Sequence, residues 1–479
     1  MPSSLVANLQ SLLGRDRVVF DASQLIVYEC DGLVLNRRLP DAVVYPLSTE
    51  EVSHILSLCS RNNTPVIPRG AGTGLSGGAV AADGGVIVET SLMKRILEID
   101  YEDEIAVVQP GVVNLELSNV TTPNGYHFAP DPSSQKACTI GGNVAENAGG
   151  PHTLKYGITT NHVLGLKMVT PDGEIVRLGG RLQDPATEGY DLTGLMVGSE
   201  GTLGIATEIT VKLTRNPPTV ETFLVAFDTL EDAGRTVSSI IAAGIVPAAL
   251  ELIDNLVIRA VESVFKAGFP TDAAAILLIE IDGEESVLEG EAVTIEEICD
   301  QHSGRGFQRA RSEEERTMLW RGRKESIGAL GKVTPAFYTN DGVVPRSKLP
   351  EILQIDKDIG KRYGLRVAHV CHAGDGNIHP IILYDPGSKE EIEAAVKISE
   401  AILENCVQMG GSLTGEHGIG MEKLATFGLM FSREDQDQMI RVRKAFDTQG
   451  IMNPGKIFPS PSGCRETKIR GTMAGGGWL

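Results

Sequence analysis

Two histidines seven residues apart, His372 and His379, stand on either side of a Gly-Asp-Gly turn in HAGDGNIHP, and TGEHGIG adds an adjacent Glu416-His417 pair. Imidazoles and a carboxylate are side chains that hold a borderline divalent ion, and a histidine also trades a proton near neutral pH. The spacing alone brings nothing together. Seven is not a helical interval of three or four, and in an unbroken strand the two rings would point to opposite faces. The glycines therefore matter, because they permit a bulge or loop that turns both imidazoles into one space. Histidines satisfied by ordinary structural hydrogen bonds are the competing reading, and the residues alone leave the choice open.

A second set of residues has the chemistry to hold a phosphate. The stretch GTGLSG, from Gly72 to Gly77, satisfies G-x-G-x-x-G, but a dinucleotide fold needs that motif to open a helix. The next residues, GAVAADGGVIVE, are too few and too broken by glycine for a helix, and no G-K-[ST] makes a P-loop. The loop reads instead as a nest of backbone N–H groups able to close on a pyrophosphate, with Arg69 nearby. A tight glycine turn without a ligand is the alternative. PDPSSQKACTIGGNVAENAGGP, residues 130–151, and VGSEGTLGI, residues 197–205, bring more small residues and backbone donors into the same half.

The elements that must position these groups have two textures. In LSTEEVSHILSLCSRNN, Ser48 and Glu51 form a capping box, and Val52, Ile55, Leu56 and Cys59 share one helical stripe that ends near Asn62. PVIPRGAGTGLSGGAV is a short strand entering the glycine loop, GGVIVET and IAVVQPG are further strands, and LGLKMVTPDGEIVRL reads as a hairpin turning at Asp172-Gly173. Beyond TRNPPTV, where Pro217-Pro218 marks a linker, longer segments alternate: strand TFLVAF, helix EDAGRTVSSIIAAG, strand AALELI, helix LVIRAVESVF, strand AILLIEI. Ser388 caps a later helix with Ile392, Val396, Ile402, Leu403 and Cys406 as candidate core positions, stopped at Gly410-Gly411. The expected division is an N-terminal segment 1–40, a glycine-rich domain 41–217, a second domain 218–459 and a loose tail 460–479.

The bulk properties narrow the function. A chain of 479 residues with 42% hydrophobic content supports two domains, since single cores seldom outgrow roughly 250 to 300 residues. The net charge of −20 disfavours a nucleic-acid partner, whose phosphates call for clustered Lys and Arg. The seven cysteines, Cys30, Cys59, Cys138, Cys299, Cys371, Cys406 and Cys464, contain no C-x-x-C pair; neither a disulfide scaffold nor an iron-sulfur pattern is legible, and the thiols read as reduced. The first residues lack the basic and long apolar regions of a secretory signal, and no apolar run approaches the roughly 18 residues of a membrane span. The expectation is a cytoplasmic protein, peripheral at the inner membrane at most through partners.

Taken in order, the PRGAGTG loop, the PDPSS segment and the SEGTLG turn resemble the FAD-binding domain of the vanillyl-alcohol oxidase and p-cresol methylhydroxylase superfamily. The resemblance implies an α+β fold, with a two-subdomain PCMH-type FAD-binding domain and a C-terminal α+β cap domain built on an antiparallel sheet. Matched by position, it implies FAD contacts from Arg69, Gly70, Gly72, Thr73, Gly74, Leu75, Ser76, Pro130, Ser133, Ser134, Gly142, Asn143, Glu200, Gly201 and Ile205. Members with covalent flavin often carry a histidine in the pyrophosphate loop. This loop has Thr73 and no histidine, so non-covalent FAD is expected.

The second half, through WRGRKESIGALGKVTPAFYTNDGVVPRSKLPEI, HAGDGNIHPIILYD, GGSLTGEHGIGMEK and FDTQGIMNPGKIFP, resembles the cap domain of the 2-hydroxyacid branch of these flavoproteins. That branch includes the FAD-bearing subunits of bacterial glycolate oxidases and the (R)-lactate and (R)-2-hydroxyglutarate dehydrogenases. Within the resemblance, His372, His379 and Glu416 become ligands of a divalent ion, Zn²⁺ or Mn²⁺, with positions left open for substrate. An ion chelated by the hydroxyl and carboxylate of a 2-hydroxy acid lowers the hydroxyl pKa, and His417 is then the general base; a structural role beside the ligands is its alternative. Arg323 grips the substrate carboxylate through its planar fork, or else is a solvated surface arginine.

Where the hydroxyglutarate dehydrogenases carry Thr and Lys for a distal carboxylate, this chain has Ile327 and Thr339, which counts against a dicarboxylate. Trp320 and Tyr338 either line the pocket or pack. The implied reaction is oxidation of glycolate or (R)-lactate with hydride passing to the flavin. Electrons then go to oxygen, a quinone or a partner, and the resemblance implies a second flavin-domain-like subunit and an iron-sulfur subunit. The alternatives are (R)-2-hydroxyglutarate oxidation and flavin chemistry without net oxidation, as in alkyl-dihydroxyacetone-phosphate synthases.

Overall fold

Short apolar runs bounded by glycine and proline make the strands of the first half. Val66–Arg69 and Ala42–Val44 each pair in parallel with Val86–Glu89, and Val18–Val19 closes this four-stranded sheet. Next comes a five-stranded antiparallel sheet, ordered Ile96–Asp100, Ile105–Val108, Ile205–Lys212, Val163–Val169, Ile175–Gly179. It contains the expected hairpin, closed by the Gly173 amide donating to the Thr170 carbonyl. The helix Thr49–Arg61 joins the two sheets, because its buried stripe of Val52, Ile55, Leu56 and Cys59 packs with Val44, Val66 and Val86 of the first and Val169 and Ile205 of the second. Ser48 caps it, but the Glu51 carboxylate turns to Arg17 and to the Leu47 amide, so the capping box is only half made. The computed structural model describes residues 3–180 and 189–459; the expected tail from 460 and Cys464 lie outside the described residues.

From Thr219 onward one seven-stranded sheet, antiparallel throughout, organises the chain: Arg305–Arg309, Thr219–Phe227, Ala275–Gly283, Ala249–Asp254, Arg366–His372, Asn377–Tyr384, Ala336–Thr339. One face packs the helices Leu230–Ala242, Glu285–Gln301, Leu349–Tyr363 and Lys389–Gln408 over Leu250, Leu252, Leu277, Ile279 and Cys371. The other packs Asn255–Val264 and Glu313–Lys324 over Ala249, Ile253, Ile276, Leu278 and Val370. By the alternation of strand side chains, Glu251, Glu280, His372 and His379 belong to this second face. In Lys389–Gln408 the stripe includes Ile402, Leu403 and Cys406, while Ile392 and Val396 are half-buried and Ala395 and Ile398 take the inner positions. The six described cysteines are free thiols, and no described helix is long and apolar enough to cross a membrane.

Candidate active site

The two histidines meet through a hairpin. Arg366–His372 turns through residues 373–376 into Asn377–Tyr384, with His372 opposite Asn377 and Val370 opposite His379. His379 is therefore two residues along from the partner of His372 and shares its face. The ring centroids stand 5.0 Å apart and perpendicular. Gly376 is the position that needs its glycine: it has φ +83°, and a Cβ there would stand 2.1 Å from the Val344 carbonyl oxygen. The Nδ1 of His372 faces both Glu251 carboxylate oxygens at 2.8 and 3.0 Å, and that of His379 faces the Asn340 carbonyl at 3.3 Å. Both Nε2 atoms are thereby aimed at Glu416 Oε1, 3.3 Å from His372 and 3.2 Å from His379.

Glu416 and His417 are carried by a turn that Asp341 shapes. One Asp341 oxygen accepts from the amides of Gly415, Glu416 and His417 at 2.9, 2.7 and 2.7 Å and from Thr414 Oγ1, while the other pairs with the fully buried Lys423. Burial works against that carboxylate, but His417, Lys423 and the amides hold it well below its usual range. His417 stacks on His379 with centroids 5.1 Å apart; its Nδ1 is sealed without a hydrogen-bond partner, 3.7 Å from Asp341 Oδ1. Burial lowers its pKa to about 4, more than Asp341 raises it, so the ring is neutral near pH 7. Burial also lowers His372, yet Glu251 and Glu416 raise it to about 10, so without an ion this nest of acceptors holds a proton. Two Nε2 atoms and a carboxylate within 4.8 Å of one another, with the other ring nitrogens already fixed, suit a divalent cation.

A cavity of about 390 Å³ joins this set to the glycine loop. His379, Glu416, His417, Arg323, Ile327 and Thr339 border it on one side. Arg69, Gly70, Gly72, Thr73, Gly74, Leu75, Ser133, Ser134, Gly142, Asn143, Glu200 and Gly201 border it on the other. An apolar cavity of about 70 Å³ continues past Arg69, Gly70 and Gly142 to Met168, Met196 and Ile205. The loop is bare backbone by necessity at Gly70, where a Cβ would meet Thr139 Oγ1 at 2.4 Å. Gly72 has positive φ, whereas Gly74 is unconstrained and opens toward the cavity. An elongated space walled by bare glycine backbone at one end and by Leu166, Met168 and Met196 at the other fits FAD, whose pyrophosphate needs donors and whose rings need apolar walls.

Several expected residues also make contacts within the protein. Ser76 and Pro130 line neither cavity: the Ser76 carbonyl accepts from the Met421 and Glu422 amides, and the Pro130 carbonyl accepts from Asn114 Nδ2. The Arg69 guanidinium turns under the loop to the Cys30 carbonyl at 2.9 Å. Glu200 receives the Ile419 and Gly420 amides, both at 2.7 Å, so its carboxylate clamps the segment after His417. Arg323 is 2% exposed, not a surface residue; its Nε donates to Glu251 Oε2 at 2.6 Å and Nη2 stands 2.5 Å from the same oxygen. Trp320 and Tyr338 pack away from the cavity, Trp320 donating to Glu280. Glu251, Asn340, Asp341 and Lys423 are not among the sequence candidates. The signal for Glu251 is its place in AALELI, an acid inside an otherwise apolar buried strand.

The sequence pattern of FAD linked oxidases, C-terminal domain, matches residues 216–457, and that of a FAD binding domain matches residues 40–179. The chain is 46% identical to the glycolate oxidase subunit GlcD of Escherichia coli over 92% of its own length and 88% of that protein's. It is 33% identical to the mitochondrial D-lactate dehydrogenase [cytochrome] of Arabidopsis thaliana, over 96% and 81%. Among solved structures it superposes on p-cresol methylhydroxylase with substrate bound at a TM-score of 0.80 and 17% identity, covering 95% and 96% of the two chains. It superposes on an alkyldihydroxyacetonephosphate synthase at 0.74 and 19%, covering 95% and 85%. Both structural likenesses concern the fold.

Proposed function

The chain belongs to the FAD-linked oxidases and is a FAD-dependent 2-hydroxyacid oxidoreductase, and from that premise we propose that it oxidises a small monocarboxylic (R)-2-hydroxy acid, glycolate or (R)-lactate, at a divalent-metal site. The observation that carries this reading is the shared cavity, which the glycine loop, the two Nε2 atoms with Glu416, and His417 all border or back. When bound, FAD supplies the hydride acceptor, and a divalent ion held by His372, His379 and Glu416 supplies a Lewis acid. His417 takes the hydroxyl proton on Nε2, the ring nitrogen away from its sealed Nδ1. The imidazolium that results faces Asp341, which steadies the charge. Arg323 binds the substrate carboxylate with Nη1, since Nε and Nη2 are engaged by Glu251.

Ile327 and Thr339 offer no cation to a second carboxylate, and Lys324, also on the cavity wall, turns to Asp131 at 3.8 Å. That composition favours glycolate or lactate over 2-hydroxyglutarate. Electrons leave to partner subunits, a second flavin-domain-like chain and an iron-sulfur chain at the periphery of the inner membrane; the support is the lack of an iron-sulfur cysteine pattern here and the similarity to a protein named as a subunit. The test is an anaerobic titration of the yellow protein with glycolate, (R)-lactate and (R)-2-hydroxyglutarate. Bleaching of the flavin by either of the first two at lower concentration than by the third is expected, and preferential bleaching by the third would reverse the substrate assignment.

A further inference from the structure

A second cavity of about 170 Å³ lies behind the ligand set, bordered by His372, Glu416, Asp375, Asn377, Thr153 and Ile158 among others. His379 borders only the flavin-side cavity, His372 only the rear one, and Glu416 both, so the three ligands form the partition between them. The rear space has room for several waters at roughly 30 Å³ each. Its outer residues Thr153, Ile158 and Asp375 are half-buried. Asn377 is 5% exposed, and its Oδ1 has no hydrogen-bond partner. A sealed acceptor of that kind is rare in a folded protein and marks a missing polar neighbour. Asp375 gives one carboxylate oxygen to the Asn377 amide at 3.0 Å, and its other oxygen makes no hydrogen bond among the described residues.

The two cavities differ in what must occupy them. The flavin-side wall mixes Arg69, Arg323 and Lys324 with Asp31, Glu146, Glu200 and Glu416, and it is the space that FAD and substrate must fill. The rear wall, free of cofactor and substrate, carries Asp375, Glu416 and the His372 ring, with no Lys or Arg among its lining residues. We propose that the rear cavity is the port through which the divalent ion reaches and leaves the ligand set, Asp375 and Asn377 holding the ion's water shell on the way. This rests on the metal reading of the site above, and deepens it by separating the path of the ion from that of the substrate. Gly149 keeps the port open from the flavin-binding half: a Cβ there would come within 2.9 Å of Thr153 Oγ1 and 3.0 Å of Glu416 Oε2.

The test uses the FAD-loaded full chain, stripped with a chelator and mixed rapidly with Zn²⁺ in the presence of a colorimetric zinc indicator. Final occupancy is measured separately by metal analysis. Asp375→Asn should slow loading, and likewise release to chelator, by about tenfold or more, the scale of electrostatic focusing in a charged cleft, with final occupancy unchanged. Thr153→Trp, which narrows the outer end without changing charge, should slow both as well. Loading of both variants at the wild-type rate would overturn the port. Loss of occupancy in Asp375→Asn would overturn it too, by making Asp375 a ligand. A wild-type protein that retains no ion at equilibrium fails the metal reading itself, an outcome distinct from a fully occupied protein with unaltered rates.

Discussion

His417 and Arg323 show how differently two polar side chains in one cavity are held. His417 has one ring nitrogen sealed beside Asp341 and packs on His379, so a change at its free edge leaves the ligands in place. His417→Asn should therefore keep FAD and metal while slowing flavin reduction by roughly 10² to 10⁴, the usual contribution of a general base; stopped-flow bleaching with parallel metal analysis decides, and loss of the ion would make His417 a ligand. His379→Ala, by contrast, should strip the ion and the activity with FAD content intact. Arg323 cannot be changed so cleanly. It satisfies the buried Glu251, which in turn orients His372. Arg323→Ala strands that carboxylate, and breaking a buried pair costs about 3 to 5 kcal/mol. Weaker metal binding and a lower melting temperature should accompany the loss of turnover, and a variant that loses turnover alone would show that neither depends on the Glu251 contact.

The elements explain why part of the site is legible in the sequence and part is not. Helix Thr49–Arg61, the hairpin at Asp172-Gly173 and the glycine loop without a helix follow from caps, alternation and turn residues, all of which are local. The residues alone leave the histidine pair open between a shared site and separate structural roles because the answer is a register: the hairpin puts Val370 opposite His379, and only that pairing brings His372 onto the same face. Glu251 and Asp341 belong to other elements, so no spacing links them to the histidines they serve. The turn itself is testable. At Gly376 both the positive φ and the Val344 carbonyl exclude a side chain, and strain of this type costs on the order of 1 to 3 kcal/mol. Gly376→Ala should weaken metal binding by about tenfold or more while FAD content stays at the wild-type level. Unaltered metal affinity would mean the hairpin does not set the ligand geometry.

At the scale of the whole molecule the fit of the two halves matters, since the glycine loop lies in the first and the cluster of His372, His379 and Glu416 in the second. Buried polar contacts cross that seam beside apolar ones such as Leu33 in the core of the second half and Ile451 and Met452 in that of the first. Glu200 clamps the amides after His417, Asn453 donates to the Gly78 and Glu200 carbonyls, and Lys456 donates to the Val80 carbonyl. His152 adds a charge: Nδ1 meets Asp131 at 2.8 Å, and Nε2 meets Glu280 of the seven-stranded sheet at 3.1 Å. Burial disfavours the imidazolium, but Asp131 and Glu280 outweigh it and raise the pKa to about 10. A histidine whose pKa is raised by folding contributes stability that is complete below its ordinary value of about 6.5 and is lost as pH climbs through the folded value. The melting temperature should thus fall between pH 7 and 10, more steeply in the wild type than in His152→Gln, which cannot titrate. Because the glycine loop borders the cavity that the seam closes, FAD release on dilution should quicken over the same interval in the wild type. Parallel melting curves for the two proteins across that range would remove His152 from the seam's electrostatics.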